Sequence, residues 1–249
     1  MKIRLALYGL MTAIVLMTMN TLAQDAAPAG DTTEAAAPRK KTLLDTYKIG
    51  GWAMHPLLLC SIGVVGVSIL NARNMTRKSL VPAAPIEGIK LAAEERDVEK
   101  VVTIAQSTDS LVTNALVHGL RLLDMNDPAG SKTKVEEAVA ESMGRQESKL
   151  AFWLNFLQLI TAVAPMMGLL GTVSGMIGAF DKIGMGGMGK PELLAANIGE
   201  AMVTTATGLI VAIPAMFAYF FFRNYLNKLL SEAEEHLTFI LDSLTLASE

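Results

Sequence analysis

Between Leu150 and Phe180 the chain reads LAFWLNFLQLITAVAPMMGLLGTVSGMIGAF, without a single Asp, Glu, Lys or Arg. As a helix this stretch would be on the order of 45 Å long, against about 30 Å for the hydrocarbon core of a bilayer. It therefore predicts a membrane span, with part of the helix projecting into water or against another subunit. A second run, 193–222, carries one carboxylate, Glu200, and a third, 51–72, has no Asp, Glu, Lys or Arg. The whole chain agrees with this reading. Its 249 residues are 51% hydrophobic and only 18% charged, where soluble domains carry roughly a quarter charged residues. Mean hydropathy is +0.40. No segment shows the two-residue alternation of a strand, so the expected fold is an all-α membrane protein with three transmembrane helices.

Outward from the spans, the polar stretch 73–149 has apolar residues at helical spacing: Ile89, Ala92 and Ala93, then Val98, Val101, Val102 and Ala105. Leu111, Ala115, Leu116, Leu120 and Leu123 follow, and beyond the turn Asn126-Asp127-Pro128-Ala129-Gly130 come Val135, Ala138, Val139 and Met143. Nothing between Val135 and Leu150 would stop a helix, so this last one is expected to run unbroken into the second span. The tail, 223–249, repeats the pattern with Leu226, Leu229, Leu230, Ala233, Leu237, Ile240, Leu241 and Leu244. These apolar faces are expected to pack on one another.

Arg145 and Lys149 precede the second span and Arg223 and Lys228 follow the third, which predicts that both ends face the cytoplasm. Arg39, Lys40, Lys41 and Lys48 crowd the outer side of the first span and argue the other way. The N-terminus resolves the conflict. Lys2 and Arg4 precede an apolar run of about 15 residues, 5–19, and Thr21 and Ala23 form a small-x-small cleavage site. A signal peptide at 1–23 translocates the segment behind it, whereas the competing reading, an uncleaved anchor, does not. Residues 24–50 are rich in Ala, Pro and Thr and form the expected periplasmic tether. The chain then has a cytoplasmic helical region at 73–149, a periplasmic loop at 181–192 and a cytoplasmic C-terminal helix at 223–249.

Several functions are disfavoured. The net charge of −3 offers nothing to neutralise phosphates, so no nucleic acid is expected. One cysteine, Cys60, allows no intrachain disulfide, and with three histidines a Cys/His zinc cage is not expected. His55, His118 and His236 lie in different segments with no nucleophile at motif spacing, so no enzyme and no cofactor are expected. The segment Gly184-Met-Gly-Gly-Met-Gly189-Lys190 fits most of a phosphate-binding loop. Pro191 stands where that loop needs a hydroxyl, and a helix rather than a strand precedes it. A flexible outer loop is the better reading, and the chain then carries no visible means of using ATP.

The two long spans carry the remaining signal. Gly168, Gly171, Gly175 and Gly178 share one side of the second, and Ala201, Thr205, Gly208, Ala212 and Ala215 make a small stripe on the third. Small residues let helix backbones approach closely where lipid removes the hydrophobic drive. Thr172, Ser174, Thr204, Thr205 and Thr207 lie at comparable places and suggest a polar lining. The competing reading is that each hydroxyl bonds its own helix carbonyl. Pro165 and Pro214 each remove a helix hydrogen bond and are candidate hinges. Glu200 is expensive within a span and so is a candidate for acting on ions, unless it sits at the outer interface.

The stretch Ala164-Pro-Met-Met-Gly-Leu-Leu-Gly-Thr-Val-Ser-Gly-Met-Ile-Gly-Ala-Phe180 resembles the second-helix signature of the MotA/TolQ/ExbB proton-channel family. Ile198-Gly-Glu-Ala-Met-Val-Thr-Thr-Ala-Thr-Gly-Leu-Ile-Val-Ala-Ile-Pro-Ala-Met-Phe-Ala-Tyr219 resembles its third-helix signature. The three-span plan is most similar to ExbB, and the signal and tether to ExbB variants with a periplasmic N-terminal extension. Family members often have Asn after the tyrosine, where this chain has Phe220.

The resemblance implies a bacterial inner-membrane ring, typically of five copies, with the N-terminus periplasmic and the C-terminus cytoplasmic. The ring would enclose the single helices of an ExbD- or TolR-like partner and work for a TonB-like client or another envelope system. It implies an ion pathway for protons, or for sodium as in some flagellar relatives. Thr172 and Thr205 would be pore-lining threonines beside Thr204, and Glu200 the glutamate near the pore mouth. The essential proton-carrying aspartate would belong to the partner. The alternatives are a non-conducting scaffold that binds partners through its cytoplasmic helices, or a flagellar-stator-like subunit, although stators usually have four spans.

Overall fold

A computed structural model of the chain describes residues 47, 50–124, 128–184 and 191–245. The signal peptide, the tether apart from Tyr47 and Gly50, and residues 185–190 of the 181–192 loop lie outside them. Among the described residues the regular elements are helices: α1 (Met54–Asn74), α2 (Arg77–Leu80), α3 (Ala83–Glu94), α4 (Val98–Gln106), α5 (Leu111–Leu120), α6 (Pro128–Lys182) and α7 (Pro191–Thr245). α1 and long parts of α6 and α7 are apolar and long enough to cross a membrane. α6 and α7 have 55 residues each, about 80 Å, and continue through Pro165 and Pro214.

The chain divides into two compact units, one of residues 1–66 and 157–218, the other of 67–156 and 219–249. In the second unit the short helices are delimited by local chemistry. α3 ends where Arg96 takes a left-handed conformation, φ 61°. The amide of Arg96 then donates to Ala93 O and that of Asp97 to Ala92 O, both at 3.0 Å, closing a Schellman turn usually made by glycine. Asp97 next caps α4 by accepting from the Lys100 amide at 2.9 Å. Ser110 opens α5 with a capping box, in which Ser110 Oγ accepts from the Thr113 amide at 3.2 Å. Thr113 Oγ1 in turn accepts from the Ser110 amide at 3.0 Å.

The core of this unit is the apolar set expected from helical spacing. Ile89, Ala92, Val101, Ala105, Leu111, Ala115 and Leu116 are buried from α3 to α5. Val135, Val139 and Met143 of α6 and Leu226, Leu229, Leu237, Ile240 and Leu241 of α7 complete it. Val98 and Val102 are only half-buried. Polar pairs line the rim: Lys132 Nζ lies 2.9 Å from Asp242, and Arg77 pairs with Glu232. Such exposed pairs contribute little to stability, so burial carries the unit.

In the first unit the pattern reverses. The buried side chains of α6 and α7 include Ala164, Ala179, Ala201, Thr204, Ala212 and Ala215, while Leu159, Met166, Leu169, Ile177, Leu209, Ile213 and Phe217 are exposed. That distribution suits helices whose outer surface meets lipid or other subunits.

Candidate functional site

The first unit is built on one close approach between α6 and α7. A side-chain carbon placed on Gly168 would lie 3.0 Å from Thr204 O, 3.1 Å from Thr205 Cα and 3.4 Å from Gly208 Cα. One placed on Gly208 would lie 2.7 Å from Ala164 O and 3.1 Å from Gly168 Cα. Backbone meets backbone here, so there is no side chain that could move aside. Further along, a carbon on Gly171 would come 2.5 Å from Thr204 Oγ1, and one on Gly175 would come 3.0 Å from Ala201 Cβ. Gly178, placed on the same side by spacing, has no described neighbour within 4 Å.

The threonines divide accordingly. Thr204 is fully buried in the contact and donates to Ala201 O at 2.7 Å, with Gly168 O at 3.4 Å. Thr205, half-buried, donates across the helix pair to Gly168 O at 3.1 Å. A single carbonyl on α6 is thus approached by two hydroxyls of α7. Thr172 and Thr207 instead bond their own helices, to Leu169 O at 2.6 Å and Val203 O at 2.8 Å. Ser174 lies 3.2 Å from the indole N–H of Trp52, which donates to it. Among the five expected hydroxyls, two bridge α6 and α7 and one meets the segment before α1. Pro165 and Pro214 leave the carbonyls of Thr161 and Ile210 without their helical N–H donors, one turn earlier.

Glu200 is half-buried, and its carboxylate is seated against Gly51. Gly51 has φ +61°, and a side-chain carbon there would collide with Glu200 Oε1 and lie 3.1 Å from its Cδ. Only glycine meets both conditions, the left-handed backbone and the adjacent carboxylate. Spacing within the third span could not reveal this partner. The sequence signal was the pair Gly50-Gly51 just before α1, which stands out only once Glu200 is known to lie against it. Four residues to either side of Gly51 in the sequence, Tyr47 and His55 are hydrogen-bonded edge to face, with ring centroids 5.5 Å apart. Lys182 Nζ donates to Asn197 Oδ1 at 3.1 Å between the ends of α6 and α7. Among the described residues no group of three His, Cys, Asp or Glu side chains is placed to hold a metal ion.

The arrangement is thus two helices in backbone contact, a hydroxyl pair on one carbonyl, and one carboxylate five residues from Thr205. A model of the family described as the MotA/TolQ/ExbB proton channel family matches residues 105–235, which include this whole α6–α7 contact. The chain is 31% identical over 180 residues to the putative biopolymer transport protein ExbB-like 1 of Synechocystis sp., covering 71% of this chain and 69% of that one. It is 44% identical over 88 residues to the biopolymer transport protein ExbB of Xanthomonas campestris pv. campestris, a match that spans 35% of each chain. Over 93 residues it is 36% identical to the Tol-Pal system protein TolQ of Pseudomonas aeruginosa, covering 37% of this chain and 40% of that one.

Proposed function

The chain belongs to the MotA/TolQ/ExbB proton channel family, and from that premise we propose that it is the ion-conducting subunit of an inner-membrane motor. In this reading several copies, five by family resemblance, form a ring around the single helices of an ExbD- or TolR-like partner. Protons pass at the boundary between ring and partner, and their flow drives work on a TonB-type or other envelope system. The N-terminus is periplasmic and the C-terminus cytoplasmic, in keeping with Arg145, Lys149, Arg223 and Lys228 at one end of the long spans. Each charge crossing 100 mV releases about 2.3 kcal/mol, an energy source that needs no nucleotide site.

The observation that carries the reading is the Gly168–Gly208 approach, with Thr205 at its edge. Thr204 is consumed by packing, but Thr205 and Thr172 each keep an exposed edge. A hydroxyl that donates to a carbonyl still has lone pairs with which to accept. Thr172 and Thr205 would therefore hold the protonated carboxyl of a partner aspartate and release it when the proton leaves. Glu200, about 7.5 Å along α7 from Thr205, would add negative charge on the entry side and raise the local cation concentration.

Thr205→Ala and Glu200→Ala are expected to abolish proton flux in liposomes holding the chain with its copurified partner, while leaving assembly intact. Full flux in both variants would remove these residues from the pathway. A non-conducting scaffold is favoured by a different observation: the hydroxyls of Thr161, Thr172, Thr204, Thr205 and Thr207 all donate to backbone carbonyls. It predicts no flux even in the unaltered complex, and loss of partner binding when the helices of the 67–156 unit are altered.

A further inference from the structure

Beside the start of the second span lies a cavity of about 360 Å³ whose lining includes Asn114, Ser142, Arg145, Gln146 and Lys149. Its apolar walls are Leu80 and Leu150, and among the described residues no Asp or Glu lines it. Asn114 and Ser142 also line a neighbouring cavity of about 390 Å³, together with Asp109, His118 and Arg121. Both lie within the 67–156 unit.

The polar groups are held in place and only partly used. Arg145 Nη2 donates to His118 Nε2 at 3.0 Å, and Arg145 Nη1 to Glu141 at 3.2 Å. Arginine has no acceptor, so in this contact His118 Nε2 is the accepting atom. Gln146 donates to Leu111 O at 3.3 Å, and an amide oxygen can still accept. Asn114 donates to Asp109 at 2.8 Å, in the lining of the neighbouring cavity. Arg145 retains further N–H donors, and Lys149 is exposed.

The level of this cavity along α6 indicates its occupant. Phe152, Trp153 and Phe156 are all exposed and pack edge to face or tilted, with ring centroids 5.2–5.9 Å apart. Of these, the exposed Trp153 is the kind of residue that marks the water–hydrocarbon boundary of a span, since its ring is apolar with a polar N–H. Lys149 and Arg145 precede Trp153 by about 6 and 12 Å along the helix. The headgroup layer occupies roughly 5–8 Å on each side of the core, and long basic side chains reach toward it along their apolar stems. A cavity at this depth, with two cations, hydroxyl and amide groups and two leucine walls, matches a phosphodiester on a glycerolipid better than a soluble anion.

We propose that Arg145 and Lys149 form a binding site for the phosphate of an anionic phospholipid at the membrane end of this cavity, with its acyl chain leaving along Leu80 and Leu150. The site is independent of ion conduction and requires only that α6 crosses the bilayer, so its failure and a failure of the channel reading are separate results. A lipid held there would tie the α5–α6 region to the membrane surface.

The test is native mass spectrometry of the full-length chain in mild detergent, titrated with phosphatidylglycerol or phosphatidylcholine. Each basic residue near an anionic surface contributes about fivefold in affinity, so R145Q/K149Q is expected to bind phosphatidylglycerol about 25-fold more weakly. Lys149→Gln alone, at an exposed side chain, is expected to lose about fivefold, and circular dichroism should show both variants fully helical. Lys134→Gln, on the same helix but away from the cavity, should change nothing. Equal retention of the two lipids, or unchanged retention in the double variant, would overturn the site. Displacement of the lipid by millimolar inorganic phosphate would overturn the lipid assignment in favour of a soluble phosphate compound.

Discussion

Helix α6 is one continuous element with two opposite surfaces. In the 67–156 unit it hides Val135, Val139, Met143 and Leu154. Past Leu157 it hides Ala164, Gly168 and Gly171 and exposes Leu159, Met166, Leu169, Ile177 and Phe180. α7 makes the same exchange in reverse, from exposed Met202, Leu209, Ile213 and Phe217 to buried Leu226, Leu229, Leu237 and Ile240. The lesson concerns the solvent. Where water surrounds the helices, large side chains are driven inward and burial holds the unit together. In lipid that drive is absent, so small residues take the inside and association rests on close backbone packing and a few hydrogen bonds.

The widest contrast lies between two leucines. Leu226 is fully buried and Leu169 is 60% exposed. Leu226→Ala is expected to cost about 2–5 kcal/mol in denaturant unfolding of the detergent-solubilised protein. Leu169→Ala is expected to stay within about 0.5 kcal/mol. Equal losses would break the comparison.

A smaller effect, but one with a change of sign, is expected for glycine. Gly208→Ala would press a methyl group against Ala164 O and Gly168 Cα, and should lower stability by about 1–3 kcal/mol. Gly144, in the same helix α6 but in the other unit, has no neighbour within 4 Å of its missing side chain. Gly144→Ala should therefore raise stability by up to about 1 kcal/mol, through helix propensity alone. Thermal unfolding of the two variants side by side tests this contrast between a glycine in backbone contact and one facing open space.

The mildest effect is a pH dependence confined to the water-facing unit. His236 has its pKa lowered, first by burial and then by Lys90, while Glu232 and Glu235 pull the other way. Its Nδ1 is buried without a hydrogen-bond partner among the described residues. The native state therefore binds the proton less readily than the unfolded chain. The stability this confers is present above the ordinary histidine pKa of about 6.5 and is lost as the pH falls from there toward the lowered value. His236→Gln should flatten that part of the profile, measured as unfolding midpoints between pH 7.5 and 5.5. An unchanged slope would assign the dependence to other groups.

Much of the fold was legible because periodicity and charge are properties of a single helix. The uncharged runs located the apolar helices, and the spacing of Leu111, Ala115 and Leu116 identified a face that is indeed buried. The continuity of α6 from Val135 into the apolar run followed from the lack of any stop signal, but the helix already begins at Pro128, inside the stretch 126–130 expected to be a turn; proline at a first helical position lacks only an N–H that has no helical partner there. The capping box at Ser110 was not legible because its second member is a threonine rather than the usual Glu or Gln. The left-handed Arg96 had no local signal, since glycine is the residue that normally announces such a turn.

The chain's own residues determined that this is an all-helical membrane protein, with a glycine stripe on one long helix, a small-residue stripe on another and a single span carboxylate. Only the tertiary structure decided how those features meet. Thr204 is buried in packing while Thr205 keeps an open edge, although they are neighbours in sequence. Glu200 rests against Gly51, some 150 residues earlier, and Arg145 reaches His118 to shape a cavity. Helical spacing assigns each residue to a face of its own helix. Which face of which neighbour it meets, and at what distance, depends on how two surfaces fit together, and no single helix carries that information.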